Sequence, residues 1–410
     1  MRVGHGTRRL DVVPGERMGG YADRSQGVRG VLDPLEVHAV TFADGAHRFA
    51  LIVADLICVN ADVVERIRAA LLELRIDSCW VAATHTHASP EAGCVPGGSQ
   101  TPEPLGARLV GAAVASAQAA VADEREASLA HTRAWVGALA GRRNAGDAAP
   151  IDIPVDAIVV SSEENVVGVV TVSPVHPTVL PADNCDVSAD LNGGIRRVLG
   201  APGRWVVAAT GAAGNISTRH TRHGRNPLEI DRLAAVAADG LELDEIRPPR
   251  RRNAAVGPPA SRVLHLAAKL PAEADAAVVA TPPTGVREDA RSHLVFEQGQ
   301  RIARELATRE RVEAYDVEIQ AVDLAGVTLV AIPGELFLEL GESIRAATGP
   351  DVVVVGYANG YLGYLPSVST PPTYETLVSP VRAGSGERVV DAAVEIAKHV
   401  TQMRNERDRV

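Results

Sequence analysis

Thr84-His85-Thr86-His87-Ala88-Ser89-Pro90 stands where the apolar run Cys79-Trp80-Val81-Ala82-Ala83 ends. At a strand end, residues i and i+2 point to the same side, so His85 and His87 are expected to face one volume. One imidazole there can hold a metal while the other works beside it. Such a pair also arises by chance, so the rest of the chain must supply the context.

Upstream, Glu36–Phe42 and Phe49–Asp55 read as paired strands turning at Ala43-Asp44-Gly45. Asn60 is expected to cap a helix whose apolar face runs through Val63, Val64, Ile67, Ala70, Leu71 and Leu74. This strand, helix, strand passage puts the histidine pair at the carboxyl end of a strand, where open α/β sheets place their ligands.

Downstream come an alanine-rich helix near 107–122, a hairpin of 156–161 with 166–172 across Ser162-Glu163-Glu164-Asn165, and a strand at 205–209. Asn226-Pro227 opens a further helix, with proline at its first position. Residues 241–290, rich in proline, alanine and charge, are expected to be an irregular excursion. A helix near 296–308 follows, then strands at 315–322 and 327–332, a helix to about residue 348, a strand at 352–355 and a last helix at 387–400. No internal repeat is visible. The expected fold is α/β, one domain over 1–410 with mixed β-sheets flanked by helices.

Composition narrows the function classes. The 410 residues are 46% hydrophobic, enough for a large core, and 41 basic against 51 acidic residues leave a net charge of −10. No uniform basic field exists for a phosphate backbone, so nucleic acid is not an expected partner. The short run Arg247-Pro248-Pro249-Arg250-Arg251-Arg252 reads as a solvated loop. Cys58, Cys79, Cys94 and Cys185 show no CxxC spacing, and no apolar leader or membrane-length apolar span is evident, so a reduced, cytoplasmic protein without membrane insertion is expected. A homo-oligomer is compatible with this composition.

Three further stretches place ligand-type residues just after apolar strands: His176-Pro177, Pro333-Gly334-Glu335, and Asn359-Gly360-Tyr361-Leu362-Gly363-Tyr364. Four of the six tyrosines (Tyr357, Tyr361, Tyr364, Tyr374) fall in one stretch of a chain with only 3% aromatic residues. Imidazole nitrogens, a carboxylate and a phenol oxygen suit zinc, with a position left open for water. Each residue alone has an ordinary structural reading; Glu335, for instance, suits the first turn of a helix.

In order along the chain, these stretches resemble the catalytic domain of the neutral (non-lysosomal) ceramidase family. Val3-Gly4-His5-Gly6, Asp11-Val12-Val13-Pro14 and Met18-Gly19-Gly20-Tyr21 look like its opening pattern. Thr84–Pro90, Val175–Leu180, Ser188–Gly193, Gly211–Ser217, Ile332–Glu335 and Tyr364 through Tyr374-Glu375 match its later motifs. The resemblance implies a neutral-ceramidase-like fold with His85, His176, Glu335 and Tyr364 as zinc ligands. It implies His87 and Tyr374 as donors to the oxyanion formed on the substrate carbonyl, joined by an arginine, of which Arg142 is preferred over Arg143. Ser217 falls where the family has a serine, but metal-activated water makes serine attack unnecessary. His220 and His223 are read as surface or loop.

Two departures stand out. The sequence ends where the family continues into an immunoglobulin-like domain, and Asn215 replaces a family aspartate. The expected activity is therefore zinc-dependent hydrolysis of the amide bond of an N-acylated amine, ceramidase-like, on a lipid or a small soluble substrate. Two alternatives are an amide-forming or acyl-transfer enzyme using the same site and a non-catalytic zinc-binding scaffold, towards which Asn215 points.

Overall fold

A computed structural model describes residues 1–98, 100–143, 151–163, 165–241, 243, 255–270, 273, 290–308, 312–407 and 409. Three sheets are built to one plan. In the first, Arg2–Arg9 pairs antiparallel with Glu36–Ala43, which pairs antiparallel with Arg48–Ala54. The chain then crosses through helix Ala61–Leu71 and returns as Ser78–Ala83, parallel to Arg48–Ala54. The second sheet repeats the order with Ser128–Arg142, Ile151–Ser162, Asn165–Ser173, helix Asp190–Leu199 and Trp205–Thr210. The third repeats it with Ala260–Ala267, Ala314–Leu324, Val327–Ala331, helix Leu338–Thr348 and Val352–Val355. Antiparallel neighbours can be joined by tight turns, whereas the parallel return needs a crossover, here a helix.

Each sheet carries a second helix on its outer side: Leu105–Ala122, Pro227–Asp239 and Ser385–Arg407. The inner faces of all three sheets meet in one apolar cluster that includes Val40, Leu51, Trp80, Ile158, Val170, Val207, Val322, Leu329 and Val353. The outer faces pack on the helices. Strands covered on both faces read as continuous apolar runs, which is why these were legible in the sequence.

The three returning strands also join at their ends. Ala83 N donates to Tyr357 O at 3.0 Å and Gly356 N to Thr210 O at 2.9 Å. Thr210 Oγ1 closes the ring by donating to Thr84 O at 2.7 Å. Whatever follows these strands is thereby held around a common centre.

Several sequence expectations are corrected. The threefold recurrence is one of pairing order and leaves no repeat in the sequence. Strand Ala260–Ala267 lies within the stretch expected to be irregular, because it pairs along its length with Ala314–Ala321; the basic run at 247–252 lies outside the described residues. Asn60 does not cap its helix through its side chain, whose Nδ2 donates instead to Ala92 O at 2.8 Å. Helix Leu105–Ala122, with mean hydropathy 1.4, is long and apolar enough to cross a bilayer, contrary to expectation. In the fold it buries Leu109, Ala113, Ala117 and Ala120 against the first sheet. That approach requires glycine on the strand: a Cβ at Gly4 or Gly6 would lie 2.0 or 2.1 Å from Ala120 O or Ser116 O.

Candidate metal centre

The histidine pair does not lie on a strand. Ser78–Ala83 ends before Thr84, and His85 has φ +63°. The two rings converge all the same, Nε2 to Nε2 at 3.4 Å, because the left-handed residue turns the chain where strand alternation would have carried it on. His85 stacks on Tyr357, centroids 4.0 Å apart, and its Nδ1 lies 2.7 Å from Ile57 O.

His176 comes three residues after strand Asn165–Ser173, and Glu335 four residues after strand Val327–Ala331. These strands hold corresponding places in the second and third sheets. His176 Nδ1 lies 2.7 Å from Ala213 O. Glu335 Oε2 lies 3.3 Å from His85 Nε2 and 3.0 Å from His176 Nε2, all three residues being buried. The other carboxylate oxygen, Oε1, accepts from the Tyr361 hydroxyl at 2.5 Å.

This donor set tests whether a metal fits. A carbonyl oxygen only accepts, so Nδ1 of both His85 and His176 must carry the ring proton. Both Nε2 lone pairs then face a carboxylate oxygen, Oε2, that has no hydrogen-bond partner. Two imidazole nitrogens and a carboxylate oxygen, buried and this close together, form a donor set that a cation can occupy. Two imidazoles, each oriented by a backbone carbonyl, plus one carboxylate fit a borderline divalent ion.

Burial, reinforced by Arg143, pushes the His176 imidazole down to about 3. The His87 ring is held well below its ordinary value by burial and then by His85 and His176. Burial alone would raise the Glu335 carboxyl, but the two histidines outweigh it and hold it well below the usual range. Ligand-type atoms of His85, His87 and His176 all lie within 4.8 Å of one another, so His87 is near enough to join the set.

Tyr364 reaches the cluster through Arg143, whose Nη1 donates to the Tyr364 hydroxyl oxygen at 3.0 Å and lies 3.3 Å from His176 Nε2. Burial pushes the Tyr364 phenol up, opposed by Arg143. Tyr374 packs edge-on against Tyr364 at 6.0 Å, and Glu375 Oε1 lies 3.5 Å from Arg143 Nη1. The preference for Arg142 is corrected. Arg142 is the last residue of its strand, points outward and pairs with Glu339 at 2.8 Å, whereas Arg143, the next residue, turns into the site. Successive residues at a strand end face opposite ways, and the sequence could not say which of the two faced in.

Asn215 is outside the cluster: its Oδ1 accepts from Leu338 N at 3.0 Å and its Nδ2 donates to Glu339 at 2.8 Å, securing the start of helix Leu338–Thr348. Ser217 lines the cleft, and its Oγ accepts from Arg219 N at 3.3 Å. His220, half-buried with Nε2 3.4 Å from Arg143 O, is more than a surface residue, while His223 is exposed.

Sequence reasoning missed Arg24, Tyr357 and the role of Tyr361. Arg24 is buried and donates to the carbonyls of His87 at 2.7 Å and Gly19 at 2.8 Å, fixing the backbone behind the histidine pair. No pattern in the sequence marks it. The tyrosine clustering did mark the other two.

The cluster lies at the base of a cleft of about 860 Å³ that is also lined by Tyr21, Tyr361, Tyr364 and Tyr374. No protein-family model and no curated protein sequence matches this chain. Two solved structures are similar over 98% of it, each at 18% identity. One is described as ceramidase complexed with C2, with a TM-score of 0.75 over 75% of that chain. The other is neutral ceramidase from Pseudomonas aeruginosa, with a TM-score of 0.74 over 74% of that chain. Three sheets that deliver two histidines and a glutamate to one centre are thus arranged in a neutral ceramidase-like fold.

Proposed function

We propose that this chain is a zinc-dependent amidohydrolase that cleaves the linear amide of an N-acylated amine, its three sheets acting as one catalytic domain. The observation that carries the reading is the convergence of His85 Nε2, His176 Nε2 and the partnerless Glu335 Oε2 at 3.0–3.3 Å. These three residues, with Tyr364, would hold the ion. When bound, zinc polarises a carbonyl and makes a hydroxide nucleophile available near neutral pH.

The other residues act on the substrate. His87 lines the cleft beside the cluster, and burial holds its imidazole well below its ordinary value. It is well placed to donate to the developing oxyanion and to pass a proton to the leaving amine. Tyr374, half-buried in the cleft wall, is the second donor. Arg143 supplies fixed positive charge at the same place and favours an anionic Tyr364 oxygen. Tyr361 holds Glu335 Oε1, leaving Oε2 aimed at the imidazoles.

The test is amine release from N-acyl amines of graded chain length by the purified protein, before and after a chelator and after zinc is restored. Turnover that the chelator abolishes and zinc restores supports the reading. A fully zinc-loaded protein inert towards every acyl amine would overturn it and leave a binding scaffold.

A further inference from the structure

Between the loop that carries His85 and His87 and the loop that carries His176 lies a turn bonded to both. Ser188-Ala189-Asp190 follows the short strand Asp186–Val187 and leads into helix Asp190–Leu199. Toward the histidine pair, Ser188 N donates to Ala88 O at 2.8 Å, and Ser188 O accepts from Thr86 Oγ1 at 2.7 Å. These two bonds grip the chain on both sides of His87. Toward His176, the Asp190 carboxylate accepts from Val179 N at 3.1 Å and from Leu180 N at 2.9 Å.

An acid at the start of a helix is ordinarily accounted for by its own helix. Asp190 does accept from Leu191 N at 2.7 Å, but its bonds to Val179 and Leu180 run to a different loop, just beyond His176. The residue is 1% exposed and has φ +51°, a left-handed conformation that Asp and Asn adopt more readily than other residues bearing a Cβ. Its surroundings fix it there. Ser188 Oγ accepts from Asp190 N at 2.9 Å and donates to Asp33 Oδ2 at 2.7 Å, while Ala189 N donates to Asp33 Oδ1 at 2.7 Å. Burial pushes the Asp190 carboxyl up to about 6, opposed by the backbone N–H groups of Leu180, Val179 and Leu191.

We infer that Asp190 is a positioning residue: through the Ser188–Asp190 turn it fixes the loop bearing His176 against the loop bearing His85 and His87, and so sets how closely their imidazoles converge on the ion. This rests on the metal reading of the cluster and on no particular reaction at the metal. Groups that orient ligands commonly change metal affinity about 10- to 100-fold when they are removed. Here the orienting bonds are made to the backbone of the ligand loops.

The test is zinc affinity, measured in competition with a chelating indicator on wild type and Asp190→Asn. Asparagine suits the left-handed backbone and keeps one acceptor oxygen, but it replaces the other with an amide nitrogen that can only donate. Its zinc Kd is expected to rise about tenfold or more. Thr86→Val, which cuts the hydroxyl tie on the other side of the turn, is expected to weaken zinc binding in the same direction and serves if Asp190→Asn does not fold. Hydrogen exchange reads the turn without reference to the metal: the amides of Val179 and Leu180 should exchange at least about tenfold faster in Asp190→Asn, and those of strand Asn165–Ser173 at the wild-type rate. Tight zinc binding by wild type, weakened in the variants, supports the inference even if no amide is cleaved, an outcome that would sink only the hydrolase reading. Folded variants with the wild-type zinc Kd, whatever their melting temperature, overturn it, as does unchanged exchange at Val179 and Leu180.

Discussion

Within four residues of where they end, strands that are apolar along the sheets become the polar floor of the cleft. Val327–Ala331 buries every residue in the core, and four positions later Glu335 faces two imidazoles. Strand Asn165–Ser173 does the same for His176, and strand Ser78–Ala83 for His85. The inner faces are alike in all three sheets, whereas the strand ends differ in every residue that matters to chemistry. The common plan thus gives a rigid frame, and the differences at its rim give a site.

Replacing one of the three converging groups should have the largest effect. Glu335→Ala leaves two lone pairs facing no charge and should lose the metal and all but a trace of turnover, on the order of a ten-thousandfold loss or more, by analogy with removal of a central catalytic group. Normal melting behaviour would locate the effect at the rim. A collapsed fold would show that frame and rim cannot be separated.

The converse experiment cuts into the frame. Leu329→Ala, at a fully buried position between the sheets, should cost about 2–5 kcal/mol of stability through lost burial and the cavity left behind. Denaturant titration reads this, and metal content at low temperature should stay at the wild-type level. A mutant that keeps its stability but loses its metal would break the distinction.

Arg142 and Arg143 sharpen the comparison within two adjacent residues. Arg143→Ala removes charge from the centre and is expected to lower kcat by about a hundred- to thousandfold, the usual effect of deleting one oxyanion donor. Arg142→Ala removes only an exposed pair with Glu339, worth about 1 kcal/mol or less, and should leave turnover within about twofold. Equal losses in the two variants would refute the assignment of Arg143.

The last contrast, read only as a pH dependence, concerns the seam between the first and second sheets. His5 stacks on Trp205 with centroids 4.8 Å apart, and burial, then the neighbouring His38, pushes its imidazole down to about 3. The unfolded chain takes up this proton near pH 6.5 and the folded chain does not, so stability is full above that pH and is lost as the pH falls towards 3. The slope is at most about 1.4 kcal/mol per pH unit. His5→Gln should flatten the dependence of melting temperature between pH 6.5 and 4.5. An unchanged slope would place the acid sensitivity elsewhere.

These contrasts also explain what was legible in the sequence. Doubly covered strands write themselves as apolar runs, so Arg48–Ala54, Trp205–Thr210 and Val352–Val355 were readable, as were the ligand-type residues just beyond such runs. The threefold plan was hidden because it lies in which strand pairs with which. Strand Ala260–Ala267 was missed because half its length is solvent-facing and mixed in character. At the site, the inward turn of Arg143 depends on where a strand stops, and the burial of Arg24 on carbonyls brought in from residues 19, 87 and 182, neither of which is local in the sequence.

The most direct test of the central claim, that three strand ends build one cation site, is metal content by mass spectrometry. It would be read on wild type, His85→Ala, His176→Ala, His87→Ala and Tyr364→Phe after identical purification and zinc loading. About one zinc per chain is expected in wild type and in His87→Ala, with loss in His85→Ala and His176→Ala and a marked fall in Tyr364→Phe. A wild-type chain that takes up no zinc, or one that keeps it after loss of His85 or His176, would contradict the claim.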